Sequence, residues 1–269
     1  MTVPASPMPQ AQDLWIDTPL GALYACRWQP AGAAPAQAPI VLFHDSLGCV
    51  ALWRDFPARL CAATGRAVLA YDRLGFGRSA PRGDVLALDF VPAEAAQVLP
   101  LLRAACGVPR FVAMGHSVGG GMAAHAAAQA GPACVALVTE SAQCFVEPRT
   151  LAGIRAAEAA FADPAEMQRL ARHHGERAPW VLQAWTRTWL SPAFADYSLE
   201  PALAAVRCPT LVLHGEEDEY ATPRQPERIA ASVAGPAELA LLPGCRHVPH
   251  REQPEVVLAR IAAFLQALP

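Results

Sequence analysis

Apolar and polar positions alternate along this chain in two distinct ways. Short continuous apolar runs occupy residues 39–44, 67–71, 111–114, 135–139 and 209–214, with a last one at 238–242. A strand covered on both faces of a parallel sheet reads this way, without polar alternation. Ahead of them, residues 14–17 and 22–28 form a first strand pair, turned at Thr18-Pro19-Leu20-Gly21. A loop rich in Ala, Pro and Gly follows at 29–38. Helical stretches fill 53–64, 92–106, 119–130 and 254–268. Strands that alternate with helices predict an α/β fold with a doubly wound, mostly parallel sheet.

One segment breaks the rhythm. From 144 to 200 the pattern is helical and no strand is predicted, with Asp163-Pro164 and Ala178-Pro179 as punctuation. The segment is therefore expected to be a helical cap inserted into a core made of 1–143 and 201–269. Trp180, Trp185 and Trp189 fall inside it, and the last two share a helix face by their i,i+4 spacing. Packing between cap and core is the predicted role of these rings, ahead of contact with a substrate.

Composition narrows the possible partners. Apolar residues make up 53% of the 269, ample for a large core. The net charge of −3 comes with no basic stripe, which argues against nucleic acid. No apolar run is long and clean enough to span a membrane. Residues 1–10 lack the basic start and apolar stretch of a signal peptide. The eight cysteines are scattered, several within apolar runs, with no C-x-x-C pair. They read as reduced thiols of a cytoplasmic protein, with no zinc site.

The strongest chemical signal is Gly115-His116-Ser117-Val118-Gly119. An apolar strand precedes it and a small-residue helix follows, the context that a G-x-S-x-G nucleophile elbow requires. Such a turn strains the serine backbone, so its neighbours must be small. The hydroxyl then projects from the top of the sheet at the positive end of a helix. A serine hydroxyl is a weak nucleophile at neutral pH. It needs a base in hydrogen-bond reach, and the base needs an orienting acid.

Four further motifs accompany the elbow in order: 43–48, Tyr71-Asp72-Arg73-Leu74-Gly75-Phe76-Gly77-Arg78-Ser79, 215–218 and 244–249. With them the chain resembles the α/β-hydrolase superfamily from about residue 14 to the end. The resemblance implies a Ser, acid, His order along the chain. In the loop after 209–214, four acids crowd together; Asp218, three residues past Gly215, is the expected orienting acid and Glu217 its rival. The base loop holds His247, in a G-x-x-H spacing from Gly244, and His250; His247 is favoured. His116, as the elbow's second residue, is expected to point away from the nucleophile. The backbone N–H groups of Val118 and Ser46 are the expected oxyanion donors. One departure stands out: where the superfamily usually has His-Gly, this chain has His44-Asp45. Asp tolerates left-handed backbone better than most residues, so the loop is still expected to form. In the 71–79 motif, Asp72 and Arg73 are expected to pair or cap, and the glycines to build a tight loop.

What the resemblance implies is a serine hydrolase that uses no metal and no organic cofactor and acts on a small molecule. Ser117 in place of Asp argues against a dehalogenase, and the aminopeptidase-like G-G-S-W-G elbow is absent. There remains cleavage of an ester, lactone or thioester of a small apolar acyl group through Ser117, His247 and Asp218. The alternatives are an acyltransferase or C–C bond hydrolase on the same three residues, or a non-catalytic ligand-binding module. Substrate identity and oligomeric state stay open.

Overall fold

In a computed structural model, which describes residues 9–30 and 37–268, the apolar runs join into one eight-stranded sheet. The readings made on 1–8 and 31–36 lie outside the described residues. The strands are β1 (Gln10–Ile16), β2 (Leu23–Gln29), β3 (Ile40–Phe43), β4 (Val68–Tyr71), β5 (Phe111–His116), β6 (Cys134–Glu140), β7 (Thr210–Gly215) and β8 (Ala237–Leu242). Their order in the sheet is β1-β2-β4-β3-β5-β6-β7-β8. The β1–β2 and β2–β4 pairings are antiparallel and all others are parallel. β1 starts earlier than the apolar pattern indicates, because Gln10, Ala11, Gln12 and Asp13 pair with β2 along an exposed edge where no burial is needed.

Burial at period two sorts the central side chains onto two faces. Val41, Phe43, Leu69, Tyr71 and Ala113 belong to one core. Ile40, Leu42, Val68, Ala70, Val112 and Met114 belong to the other. The helices follow in chain order: α1 (Phe56–Thr64), α2 (Phe90–Ala93), α3 (Leu99–Cys106), α4 (Val118–Ala130), α5 (Pro148–Ala160), α6 (Pro164–His174), α7 (Ala178–Trp189), α8 (Glu200–Leu203), α9 (Arg224–Ser232), α10 (Pro249–Glu252) and α11 (Pro254–Gln266). The first core is closed by α2, α3, α4 and α9. The second is closed by α1 and α11. Helices on both faces make the sheet doubly wound. A π turn at Glu94–Val98 joins α2 to α3 within the predicted 92–106 helix. The helix α9 has no counterpart in the sequence reading; it is short and strongly polar on its outer side.

Four helices, α5 to α8, lie between β6 and β7. The two ends of this insertion meet: Phe145 and Ser198 form an isolated antiparallel bridge, and Leu199 N–H donates to the Cys144 carbonyl at 2.7 Å. A third, small apolar cluster of Phe76, Leu170, Ala178 and Val181 packs the insertion onto the loop after β4. His174 fastens the same contact, accepting from Gly77 N–H at 2.9 Å and donating to the Leu47 carbonyl at 2.9 Å. All eight cysteines are free thiols. Among the described residues no helix is long and apolar enough to cross a membrane.

Candidate active site

Ser117 sits between β5 and α4 with φ +55°, in the left-handed region that costs most residues energy. The turn is held by glycine on both sides. A Cβ on Gly115 would lie 2.0 Å from the Gly119 carbonyl oxygen, and one on Gly119 would lie 2.1 Å from the Phe43 carbonyl oxygen. Ser117 N–H donates to the Glu140 carbonyl at 2.8 Å, which anchors the strained residue to β6. Its own carbonyl accepts Gly120 N–H at 2.9 Å.

The sheet's carboxyl edge delivers two more groups. His247 Nε2 lies 3.1 Å from Ser117 Oγ. On the other side of the ring, Nδ1 lies 2.8 and 2.9 Å from the two carboxylate oxygens of Asp218. A carboxylate only accepts, so Nδ1 carries the proton and Nε2 is left to take the one from the serine hydroxyl. Asp218 is fully buried. It also accepts Tyr220 N–H at 2.8 Å, and His214 Nε2 stands 3.2 Å from Oδ2. Burial alone would raise the Asp218 pKa, but the charge of the His247 ring, the nearby His214 ring and the hydrogen bond from His247 hold its carboxyl well below the ordinary carboxylate range. The two loops approach closely because Gly215 lacks a side chain; a Cβ there would lie 2.1 Å from the Arg246 carbonyl oxygen. Glu217, the rival acid, is exposed, and Glu219 instead accepts His247 N–H at 3.2 Å. His250 lies elsewhere: its Nδ1 and backbone N–H bind the Glu140 carboxylate at 2.7 and 2.6 Å, and its ring lies 4.7 Å from that of Trp53.

The loop after β3 is fixed through one carbonyl. The Asp45 oxygen receives His44 Nδ1–H at 2.8 Å, Arg73 Nη2 at 2.8 Å and Gly48 N–H at 3.2 Å. His44 Nε2 accepts Arg73 N–H at 3.1 Å, which fixes its tautomer. A trans peptide aims its N–H opposite to its carbonyl, so Ser46 N–H is turned away from Arg73. Among the described residues neither Ser46 N–H nor Val118 N–H has an acceptor. Asp45 itself is not left-handed, contrary to the expectation from the missing glycine. Its carboxylate instead accepts Leu47 N–H at 2.8 Å, a local turn that needs no positive φ.

Three other expectations are met only in part. His116 does not stand clear of the site. It is buried, lines the same cavity as Ser117, and its Nε2 lies 2.8 Å from the His247 carbonyl oxygen. The reason is packing: as the elbow's second residue it enters the space between the β3 and His247 loops. Asp72 and Arg73 do not pair with each other. Asp72 caps backbone, accepting Val50 N–H at 2.6 Å and Arg78 N–H at 2.7 Å, and burial pushes its pKa up to about 6. Trp185 and Trp189 line the cavity as well as packing beneath it, whereas Trp180 packs on Phe76 at 5.5 Å between ring centres. Gln143, whose amide oxygen is 3.5 Å from Ser117 Oγ, escaped the sequence reading altogether. Its only signal is its position just past the end of β6.

The cavity has a volume of about 280 Å³. Leu47, Leu52, Ile154, Trp185 and Trp189 give it apolar walls, and Ser117, His247, Asp45, Gln143 and Thr150 give it polar ones. His116, Glu140 and His250 each bring one atom able to bind a metal within 4.8 Å of the others. Hydrogen bonds already occupy that set, from His250 to Glu140 and from His116 to the His247 carbonyl.

Comparison with known proteins gives the family of the chain. A family model described as "Alpha/beta hydrolase family" matches residues 10–260. A non-heme haloperoxidase from Rhodococcus erythropolis is 27% identical over 232 residues, which is 76% of this chain and 83% of that protein. The crystal structure of a proline iminopeptidase from Mycobacterium smegmatis superposes with a TM-score of 0.76 at 23% identity, covering 95% of this chain and 98% of the other. A hydrolase from Pseudomonas aeruginosa PA01 superposes with a TM-score of 0.69 at 25% identity, covering 95% and 98%.

Proposed function

We propose, for a chain that belongs to the alpha/beta hydrolase family, that it is a serine hydrolase. The bond cleaved is a carboxylic ester, lactone or thioester of a small acyl group. One observation carries the reading: a continuous hydrogen-bonded line from buried Asp218 through His247 to Ser117 Oγ, at 2.8 and 3.1 Å. In this reading His247 Nε2 takes the hydroxyl proton as Ser117 Oγ attacks the substrate carbonyl. Asp218 fixes the tautomer and stabilises the imidazolium that results. The free N–H groups of Val118 and Ser46 receive the oxyanion; each such donor contributes roughly 10²–10³ in turnover. His247 then protonates the leaving alcohol or thiol. Water, deprotonated by the same nitrogen, opens the acyl-enzyme and releases the acid. A cavity of about 280 Å³ with apolar walls supports a small acyl group.

The Rhodococcus erythropolis relative adds a second reading, in which hydrogen peroxide replaces water as the acceptor and the product is a peracid. An acyltransferase differs only in using an alcohol or thiol at that step. All of these need an activated serine, which separates them from a non-catalytic binding module. A fluorophosphonate probe should label the native protein and leave Ser117→Ala unlabelled. On a panel of p-nitrophenyl esters, lactones and thioesters, the same variant should lose roughly 10³–10⁶ in turnover. Adding alcohol or peroxide to the panel sorts the acceptors. Near-native turnover by pure Ser117→Ala would sink the assignment.

A further inference from the structure

Asp45 creates an electrostatic problem that the rest of the site must solve. Its carboxylate stands in the cavity wall, one residue from the N–H of Ser46. A bare negative charge there opposes the negative charge that builds on a substrate oxygen. Facing it is His116. The Nδ1 of that ring is 3.5 Å from Asp45 Oδ2, an ion-pair distance, and has no hydrogen-bond partner among the described residues. The opposite nitrogen, Nε2, is 2.8 Å from the His247 carbonyl oxygen and must donate to it. A neutral imidazole has one N–H and serves one of these contacts; an imidazolium serves both.

We propose that His116 is a positioning residue, the counter-ion of Asp45, and that it straps the Ser46 loop to the His247 loop. The ring carries a proton on each nitrogen. One faces the Asp45 carboxylate and cancels its field at the oxyanion position. The other holds the backbone of the base. The surroundings favour the charged form. From β6 comes the Glu140 carboxylate, and from the β3 loop Asp45. Also packed against the ring are His247 and, on α10, His250, each with its ring centre 5.1 Å away, with Arg251 beyond them in the cavity wall; burial lowers the His250 pKa and keeps that ring neutral. His44, on the far side of Asp45, is kept neutral by burial and by the Arg73 guanidinium. Burial lowers the affinity of His116 for its second proton, but Asp45 and Glu140 outweigh it and the pKa lies above the ordinary 6.5. Asp45 is held well below the usual carboxylate range; burial would raise it, and the neighbouring His116 ring pulls it down.

The catalytic half of this assignment rests on Ser117 being the nucleophile; the ion pair does not. The first experiment therefore uses Ser117→Ala protein, which has no turnover to confuse it. A histidine-selective nitrogen NMR titration should show His116 losing its proton above pH 6.5. In Asp45→Asn that midpoint should fall by about one unit or more, roughly a tenfold weaker hold on the proton. A midpoint at or below the ordinary value, or one that Asp45→Asn leaves unmoved, overturns the ion pair. The second experiment measures ester turnover. His116→Gln keeps a donor for the His247 carbonyl but leaves Asp45 bare, and should lower kcat by about 10–100-fold. Adding Asp45→Asn to His116→Gln should recover most of that loss, because the offending charge is gone. Losses that simply multiply in the double variant overturn the counter-ion role while leaving Ser117 untouched. If His116→Gln fails to fold by circular dichroism, kcat of Asp45→Asn against pH decides. A basic limb that stays where it is in the native protein, or moves down with the His116 midpoint, overturns the role; one that disappears, or gives way to a limb at higher pH, upholds it.

Discussion

Replacing His174 by leucine should destabilise the protein at neutral pH and far less at pH 4. His174 ends α6 and joins two loops, accepting from Gly77 N–H and donating to the Leu47 carbonyl, with its ring edge-on to Phe76. Leucine fills the space but leaves both backbone groups unpaired, at about 1–3 kcal/mol each. The native protein should therefore be more stable than the variant by about 2–6 kcal/mol at pH 7. Burial lowers the His174 pKa from 6.5 to about 4. Between those values the unfolded chain takes up a proton that the native chain refuses. The His174 contribution is complete above pH 6.5 and shrinks as pH falls towards 4, by about 3 kcal/mol in all. Asp72 works against it in nearly the same window. Burial raises its pKa from 3.8 to about 6, so its contribution is present at low pH and fades as pH rises. Other buried groups, His44 and His250 among them, titrate in the same window, so only the difference from His174→Leu isolates the histidine. Urea unfolding of both proteins at pH 7, 6, 5 and 4 measures that difference. A gap that stays constant with pH would refute the reasoning.

The two histidines of the base loop should separate cleanly. His247→Ala should reduce ester turnover by roughly 10³–10⁵ with little change in melting temperature. His250→Ala removes the partner of buried Glu140, so it should lower the melting temperature while keeping a substantial part of kcat; the opposite pattern would reassign the base. Trp185→Ala opens the cavity wall and should shift the preferred p-nitrophenyl ester to a longer acyl chain. An unchanged preference would place the acyl group elsewhere.

The sheet was legible because its strands carry uninterrupted apolar runs that only a doubly covered strand tolerates, as at Ile40-Val41-Leu42-Phe43. The positions of Ser117, Asp218 and His247 were legible because each lies within a few residues of a strand end, in a loop that carries a glycine. What escaped depends on contacts far apart in sequence. His116 reads as a bystander until the His247 loop, 131 residues on, is seen to pack against it. Gln143 carries no motif, and its nearness to Ser117 comes from β5 and β6 being neighbours. Asp45 reads as a fault against the superfamily pattern, since a sequence does not show that its φ is negative and its carboxylate is tied to Leu47 N–H. The choice of Asp218 over Glu217 was a matter of spacing alone, and burial divides them.

The clasp between Phe145 and Ser198, with Leu199 N–H on the Cys144 carbonyl, has an engineering consequence. The polypeptide departs from the scaffold and rejoins it at one spot, between strands that are bonded to each other over Leu137–Glu140 and Thr210–Leu213. Whatever is spliced between those two points inherits a closed doorway and leaves the register of the sheet alone. A chimaera that keeps the clasp and swaps the intervening helices for another set would retain the machinery at the sheet edge beneath a differently shaped roof. New selectivity can thus be grafted onto old chemistry without renegotiating the foundation.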